Sequence, residues 1–207
     1  KKHGIRFVTF SSDLVFDGKK NSAYVETDSV SPLNVYGRSK AESETNVLNI
    51  FPDSLVIRTS AFFGPWDQYN FVTQVLNTIE KDRPFHATDA LRVSPTYVPD
   101  LVDYSLDLLI DAEKNIWHLA NRGDISWYEL ACNVADRAGK DSQLIVRQPF
   151  ETLSFFAQRP VFSVLASEKG IELPTLDQAL DSYFSERKRK AARQQQNSVE
   201  SRHYSAA

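Results

Sequence analysis

The chain has 207 residues, 42% of them hydrophobic and 12% aromatic, which is enough apolar material for one buried core. A formal net charge of −3 argues against a nucleic-acid partner, and no apolar stretch reaches the roughly 18 residues of a membrane span. A single cysteine, Cys132, excludes an internal disulfide framework, and the scattered histidines predict no metal site. Without a membrane span or a secretory segment, the expected location is the cytoplasm.

Strand-like and helix-like segments alternate along the chain, a pattern that predicts an α/β fold with a parallel sheet. The predicted strands are short apolar runs at residues 5–10, 55–58, 115–120 and 144–147. The predicted helices have apolar residues at helical spacing and cover residues 71–81, 101–112 and 126–138. In the last of these helices, Ser126 is a candidate N-cap, with Glu129 three residues later as in a capping box.

The chain ends in a polar segment, residues 186–207, that opens with the basic run Arg187-Lys-Arg-Lys190. Such a composition predicts a frayed helix followed by disorder. Residues 1–185 would then form the folded domain.

Tyr36 and Lys40 are four residues apart, and a helix brings such positions to one face. The helix is predicted to begin at Ser31-Pro32, with Ser31 as its N-cap. A phenol ordinarily titrates near about pH 10, so an acid/base role near neutral pH requires a neighbouring cation, which Lys40 would supply. A hydroxyl from Ser12, at the end of the preceding strand, could hydrogen-bond the same carbonyl oxygen. Together these residues predict proton transfer to or from a carbonyl oxygen.

Several further phrases follow one another in order between residues 5 and 184. They are Ser11-Ser12-Asp13-Leu-Val-Phe-Asp17-Gly18, Ser31-Pro-Leu-Asn-Val-Tyr36-Gly-Arg-Ser-Lys40, Arg58-Thr59-Ser60, Asn70-Phe71, Ser94-Pro-Thr-Tyr-Val-Pro-Asp-Leu101 and Arg159-Pro160-x-x-Ser163-x-Leu165. In these phrases the chain resembles the extended short-chain dehydrogenase/reductases, and within them the dTDP-4-dehydrorhamnose reductase family with its RmlD-like substrate-binding region.

The resemblance implies NAD(P)H-dependent reduction of a 4-keto-6-deoxy sugar carried on a nucleoside diphosphate, with NADPH or NADH as cofactor. It implies that Tyr36 protonates the new alkoxide, that Lys40 assists Tyr36 and bonds the nicotinamide ribose, and that Ser12 orients the carbonyl. It adds two cofactor-binding positions, Arg58 and Ser60, and two substrate-binding positions, Asn70 and Arg159. A guanidinium fork at Arg159 would suit a diphosphate, although a surface ion pair is an equal alternative.

Departures from the family pattern leave the identity of the sugar open. Ala61 stands where the rhamnose-pathway reductases typically carry tryptophan. An aromatic contact to the hexose could instead come from one of four nearby residues, Phe62, Phe63, Trp66 or Tyr69, although packing in a core or loop also accounts for them. The segment 88–92 also differs from the family's usual aromatic and glycine positions.

The chain lacks a glycine-rich turn of the kind that binds a dinucleotide pyrophosphate, because its seven glycines are never closer than fourteen residues. It also contains no methionine. We therefore expect the C-terminal portion of an NAD(P)-binding Rossmann-like fold, with a parallel sheet and a small substrate-binding lobe, that is inactive by itself. The nucleotide-binding portion would lie upstream, through truncation or in a fusion, and a homodimer is compatible with the resemblance.

Two alternatives to the reductase remain open. A non-catalytic relative that binds NADP or a nucleotide sugar would serve as a regulatory subunit or scaffold. A nucleotide-sugar epimerase or dehydratase would use the same tyrosine and lysine.

Overall fold

The structure, a computed structural model, describes residues 4–152 and 157–204. Its strands are β1 (Val8–Ser12), β2 (Leu55–Thr59), β3 (Phe62–Phe63), β4 (Phe85–Ala87), β5 (Arg92–Val93), β6 (Thr96–Tyr97), β7 (Asn115–His118), β8 (Ile125–Ser126) and β9 (Ile145–Arg147). Its α-helices are α1 (Val35–Ile50), α2 (Phe71–Ile79), α3 (Val98–Ile110), α4 (Trp127–Arg137) and α5 (Leu176–Tyr204). Short 3₁₀ turns occur at Asp13–Val15, Ser142–Leu144 and Phe150–Thr152.

The central sheet is parallel, in the order β1-β2-β7. Its register pairs Ser12 with Thr59 and Arg58 with His118, so the polar residues that end these strands lie side by side. Every residue of β2 is buried, as expected for the middle strand of a sheet covered on both faces. The predicted parallel α/β arrangement is confirmed.

One hydrophobic core lies between this sheet and α3. Its buried members include Ile57 of β2, Leu101 and Leu108 of α3, Trp117 of β7, and Leu119 directly after β7. The side chains of α3 reach the sheet because its apolar positions repeat at helical spacing.

A second core fills the lobe built from α2, α4 and the first part of α5. Its buried members include Val75, Leu76, Val134, Leu180 and Tyr183. Around it lie the parallel pairs β3–β6 and β4–β9 and the antiparallel pair β5–β8. The segments of the two cores alternate along the chain, so the sheet and the lobe are interleaved in sequence.

Helix boundaries depart from the sequence predictions mainly at the N-termini. Ser31 as the N-cap of α1 is wrong: Asn34 is the cap, and its side chain accepts a hydrogen bond from Gly37 N at 2.8 Å. At α4 the predicted capping box of Ser126 and Glu129 is confirmed, with both reciprocal hydrogen bonds present.

Helix α5 continues past residue 186 to Tyr204, where the sequence predicted a frayed helix and disorder. Arginine, lysine, alanine and glutamine favour helix even without an apolar face. Two contacts fix the segment at the predicted boundary: Tyr97 donates to Glu186 at 2.7 Å, and Arg187 pairs with Glu80 at 2.7 Å. The proposed division at residue 185 therefore falls inside a helix, and residues 205–207 lie outside the described part.

None of the described helices is both long and apolar enough to cross a bilayer. Within residues 4–152 and 157–204, no three histidine, cysteine, aspartate or glutamate side chains are grouped to hold a metal ion.

Candidate active site

A cavity of about 270 Å³ opens at the carboxyl ends of β1 and β2, where ligands bind in open α/β sheets. Its polar lining comes from four separate segments of the chain, with Ser11, Ser12, Asp13, Tyr36, Ser60 and Arg159 among its residues. Four of the predicted site residues, Ser12, Tyr36, Ser60 and Arg159, are therefore brought together.

Ser12 ends β1 and caps the 3₁₀ turn that follows. Its hydroxyl accepts a hydrogen bond from Leu14 N at 3.1 Å and donates one to Asp13 Oδ1 at 2.9 Å. These two bonds hold the buried side chain in one orientation beside the cavity.

Tyr36 and Lys40 lie one turn apart on α1. Tyr36 lines the cavity with 51% of its surface exposed, which leaves its ring accessible to a ligand. Lys40 Nζ lies 5.8 Å from the centre of the Tyr36 ring and donates to Phe10 O at 3.0 Å. Lys40 does not itself line the cavity, but its charge lies beside the tyrosine as the spacing predicted.

Gly37 lets α1 approach the turn that follows Ser12. A Cβ at this position would lie 2.1 Å from Leu14 O and 2.9 Å from the Pro32 Cβ, closer than any packing allows. The glycine next to Tyr36 is therefore what brings the tyrosine against the Ser12 turn.

Arg159 reaches the cavity from a distant part of the chain through two contacts. Gly18, with a φ of +77°, would carry a Cβ only 2.7 Å from the Pro160 Cβ, so glycine is required for the close approach. Asn34 Nδ2 donates to Gln158 O at 2.9 Å, which ties the same segment to the start of α1.

A second cavity, of about 340 Å³, adjoins the first. It is lined by Phe71, His86, Ala87, Thr88, Leu91, Trp127, Gln148 and Arg159. The two cavities share Leu91, Trp127 and the exposed Arg159, so a single elongated ligand can extend past the guanidinium.

Two buried hydroxyls on the wall of the first cavity form no hydrogen bond of normal geometry with the described residues, although that of Ser60 lies near enough to the Asp13 carboxyl group to lower its pKa. They belong to Ser11, which is 6% exposed, and Ser60, which is 3% exposed. The next residue, Ala61, adopts a φ of +44°, which costs energy for a residue with a Cβ. Unpaired polar atoms and local strain mark this wall as built for something other than stability.

Arg58, predicted to bind the cofactor, pairs with other side chains of the protein in the structure. It is 2% exposed, and its Nε and Nη2 bond the two carboxylate oxygens of Glu44 at 2.9 and 2.7 Å. Its Nη1 lies 3.3 Å from His118 Nε2. These neighbours occupy the guanidinium and it does not line the cavity, which indicates a structural role for Arg58, while the cofactor contact stays a prediction.

Asn70, predicted to bind substrate, is the N-cap of α2. Its Oδ1 accepts from Thr73 N at 3.0 Å, and its Nδ2 donates to Gly64 O at 2.9 Å. The side chain is buried and lies outside both cavities, so its amide stabilises the helix start, and its contact with substrate stays a prediction.

The aromatic residues after Ala61 divide in two. Phe62 lines the first cavity, whereas Phe63 belongs to the core and the exposed Trp66 and Tyr69 lie outside the cavity. The aromatic wall opposite comes from Trp127, which the sequence did not single out because it lies more than sixty residues further along the chain.

Asp13 is the principal site residue that sequence reasoning missed. Burial raises the pKa of its carboxyl group, and the hydroxyls of Ser163, Ser60 and Ser12 and the charge of Arg159 only partly oppose this. Ser163 Oγ donates to Asp13 Oδ2 at 2.6 Å. Both residues stand in the phrases that carried the family resemblance, but nothing in either phrase indicated that they meet.

The fold and site define a class: a Rossmann-like α/β protein with serine, tyrosine and lysine at the carboxyl end of its first described strand. A model of the family described as RmlD substrate binding domain matches residues 1–188. The chain belongs to this family.

Similar proteins are known in sequence and in structure. The spore coat polysaccharide biosynthesis protein SpsK of Bacillus subtilis (strain 168) is 32% identical over 188 residues, covering 89% of this chain and 65% of SpsK. A dTDP-4-dehydrorhamnose reductase of Aggregatibacter actinomycetemcomitans is 31% identical, covering 86% of this chain and 62% of that protein. A crystal structure of dTDP-4-dehydrorhamnose reductase from Bacillus anthracis str. Ames, in complex with NADP, superposes with a TM-score of 0.83 at 26% identity, covering 88% of this chain and 66% of that one. The chain thus spans just under two thirds of the length of each.

Proposed function

We propose that this chain carries the acid/base and substrate-binding part of a nucleotide-sugar ketoreductase, which reduces a 4-keto-6-deoxy sugar with NADPH or NADH. The observation that carries the proposal is the meeting of Ser12 and Tyr36 on one cavity, with Lys40 one helical turn from the tyrosine. The names of the similar reductases support the same reaction.

Each of the three residues has a distinct task. Tyr36 gives its phenolic proton to the oxygen of the former ketone as that oxygen becomes an alcohol. Lys40 stabilises the phenolate that remains, because its positive charge lies beside the ring. Ser12 donates a hydrogen bond to the ketone oxygen and holds it within reach of Tyr36.

The nicotinamide cofactor supplies the hydride when bound. Its nicotinamide and ribose would be held by Tyr36, Lys40 and Ser60, and the unpaired, buried Ser60 hydroxyl fits such a polar ligand. The described residues offer no glycine-rich turn for the pyrophosphate. Activity should therefore be measured on the chain joined to whatever its gene encodes upstream of Lys1.

The two adjoining cavities suit a substrate made of a sugar, a diphosphate and a nucleoside. The sugar would occupy the first cavity beside Tyr36, and the nucleoside the second, where Phe71 and Trp127 provide apolar surface. Arg159, which lines both cavities, would then meet the diphosphate between them.

The proposal predicts that replacing Tyr36 with phenylalanine lowers kcat for NADPH oxidation by about 10²- to 10⁴-fold, the usual contribution of a general acid. The assay uses a panel of nucleotide-linked 4-keto-6-deoxy sugars. The matched control is Tyr69→Phe, which removes the same hydroxyl from an exposed tyrosine outside both cavities.

Unchanged turnover in Tyr36→Phe would exclude the proposed mechanism. Binding of NADPH and nucleotide sugar without any oxidation would indicate the non-catalytic alternative. Conversion of the sugar without net consumption of NADPH would indicate an epimerase or dehydratase.

A further inference from the structure

Asp13 follows Ser12 directly and is almost completely buried beside the cavity, with 6% of its surface exposed. Its two carboxyl oxygens have different partners. Oδ1 accepts from Ser12 Oγ at 2.9 Å, and Oδ2 accepts from Ser163 Oγ at 2.6 Å. Asp13 therefore touches the residue proposed to orient the ketone.

The hydroxyl of Ser12 has one hydrogen to donate. In the structure that hydrogen points to Asp13 Oδ1, while Leu14 N donates into the serine oxygen. The proposed reaction requires the same hydrogen to point to the ketone oxygen. An ionised Asp13 can only accept hydrogen bonds, so it competes with the substrate for this hydrogen.

We propose, on the basis of the reductase function proposed above, that Asp13 is a positioning residue that acts through Ser12: as a neutral carboxyl group it donates to Ser12 Oγ, and the serine gives its own hydrogen to the ketone oxygen. Ser12 then accepts from Asp13 and from Leu14 N and donates once, so its hydrogen-bonding capacity is filled. Asp13 Oδ2 continues to accept from Ser163. Asp13 keeps its proton throughout, and the proton that ends on the new alcohol comes from Tyr36.

The surroundings of Asp13 favour the neutral form. Burial raises the pKa of its carboxyl group, and the hydroxyls of Ser163, Ser60 and Ser12 lower it to a lesser extent. The charge of Arg159 also acts on Asp13 and opposes the rise. A substrate diphosphate paired with Arg159 would offset that positive charge and thereby raise the pKa of Asp13 further.

The direction of the pH dependence follows from this pKa. Asp13 is neutral below its raised pKa, so its contribution to kcat is present at low pH and is lost as the pH rises through that value. Tyr36 and Arg159 are the other titratable side chains that line the cavity, and Tyr36 must also be protonated to act as an acid. A variant with a permanently neutral side chain at position 13 separates the two effects.

The test is a double-mutant cycle on the chain joined to its upstream sequence. Ser12→Ala should lower kcat by about 10²-fold or more, the usual effect of losing one donor to a developing oxyanion. Asp13→Ala should lower kcat by about 10- to 100-fold when Ser12 is present, but by less than about threefold when Ser12 is already alanine. A purely structural role would give the same loss in both backgrounds.

Asp13→Asn provides the second arm, because its amide can donate to Ser12 while its carbonyl accepts from Ser163. This variant should keep kcat within about threefold of wild type. Its kcat should also lack the decline with rising pH that ionisation of Asp13 causes in the wild type. Infrared spectra of the substrate complex should also contain a protonated-carboxyl band that is absent from Asp13→Asn. If Asp13→Ala fails to fold, the asparagine variant decides the question alone.

Three results would overturn the inference. The first is a kcat of Asp13→Asn that falls as much at every pH as that of Ser12→Ala. The second is an equal loss of kcat for Asp13→Ala whether residue 12 is serine or alanine. The third is the absence of the protonated-carboxyl band from the wild-type spectrum. If turnover depends on Tyr36 but one of these three results is obtained, only the role of Asp13 is excluded. If the wild-type protein reduces no ketone, both the reductase function and this inference are excluded.

Discussion

Arg58 and Ser60 are two residues apart at the end of β2, yet their polar atoms have opposite surroundings. The Arg58 guanidinium bonds both carboxylate oxygens of Glu44 and approaches His118. The Ser60 hydroxyl is equally buried but forms no hydrogen bond of normal geometry within the described residues, and only a weak interaction with the Asp13 carboxyl group. Because a buried polar group without a partner lowers stability, an unpaired hydroxyl on a cavity wall indicates a ligand, whereas a fully paired side chain indicates a structural role.

We call the first region the Arg58 cluster; it consists of Glu26, Glu44, Arg58 and His118. His118 Nδ1 lies 3.1 Å from Tyr24 O and 3.0 Å from Ala166 O, and Glu26 accepts from His118 N at 2.9 Å. The cluster thus joins β2, α1 and β7 to two loops. Proximity to an active site in the chain therefore does not make a residue part of that site.

The largest effect on stability is expected from replacing Arg58 with alanine. The substitution leaves the Glu44 carboxylate buried and unpaired, so it should lower the free energy of unfolding by about 3–5 kcal/mol. Denaturant unfolding monitored by circular dichroism measures the loss.

The matched control is Arg122→Ala, which breaks the exposed pair with Glu172 and should cost less than about 1 kcal/mol. If Arg58→Ala kept the wild-type unfolding free energy but weakened NADPH binding, the predicted cofactor contact would be supported. The contrast between Arg58 and Ser60 would then be lost.

A smaller effect is expected from pH, through His118. Burial and the nearby Arg58 charge lower the pKa of its imidazole, and the Glu26 carboxylate opposes this only in part. The folded protein therefore keeps His118 neutral, whereas an unfolded histidine takes up a proton below about pH 6.5. Since the unfolded chain then binds more protons, the unfolding free energy should fall as the pH drops from about 6.5 towards the lowered pKa of His118.

Unfolding curves collected between about pH 7 and pH 5 test this dependence. His118→Asn should be less stable overall, but its unfolding free energy should depend less on pH because the titrating imidazole is gone. His86→Asn, on the exposed side of β4, is the control for replacing a histidine elsewhere. An unchanged slope in His118→Asn would show that acid sensitivity arises outside the Arg58 cluster.

Long periodic elements could be predicted from the sequence because their signals are local. Helix α2 was predicted at residues 71–81 and lies at Phe71–Ile79, and the α4 capping box lies within four consecutive residues. The two-residue strands β3, β5, β6 and β8 have no periodicity of their own, since partners elsewhere in the chain define them.

The site was predictable to the extent that its residues share one segment. Tyr36 and Lys40 are neighbours on one helix, so their spacing was informative. Arg58 meets His118 sixty residues away, and Asp13 meets Ser163 at a separation of 150 residues. No local pattern distinguishes a side chain that points to a ligand from one that pairs with such a distant partner.

The smallest effect on stability is expected at Ser60, the other residue of the pair compared above. Ser60→Ala removes a buried hydroxyl that forms no hydrogen bond of normal geometry, so it should raise the unfolding free energy of the free protein by up to about 1 kcal/mol, even though it also removes a weak interaction with Asp13. If Ser60 contacts the cofactor, the same variant should weaken NADPH binding by roughly two- to tenfold, the usual worth of one hydrogen bond.

Ser126→Ala is the matched control: it removes a capping hydroxyl that is hydrogen-bonded, and should lower the unfolding free energy by about 1 kcal/mol. The same serine-to-alanine change should therefore have opposite signs at the two positions. A Ser60→Ala loss equal to that of Ser126→Ala would mean that the Ser60 hydroxyl serves the fold, as Arg58 does.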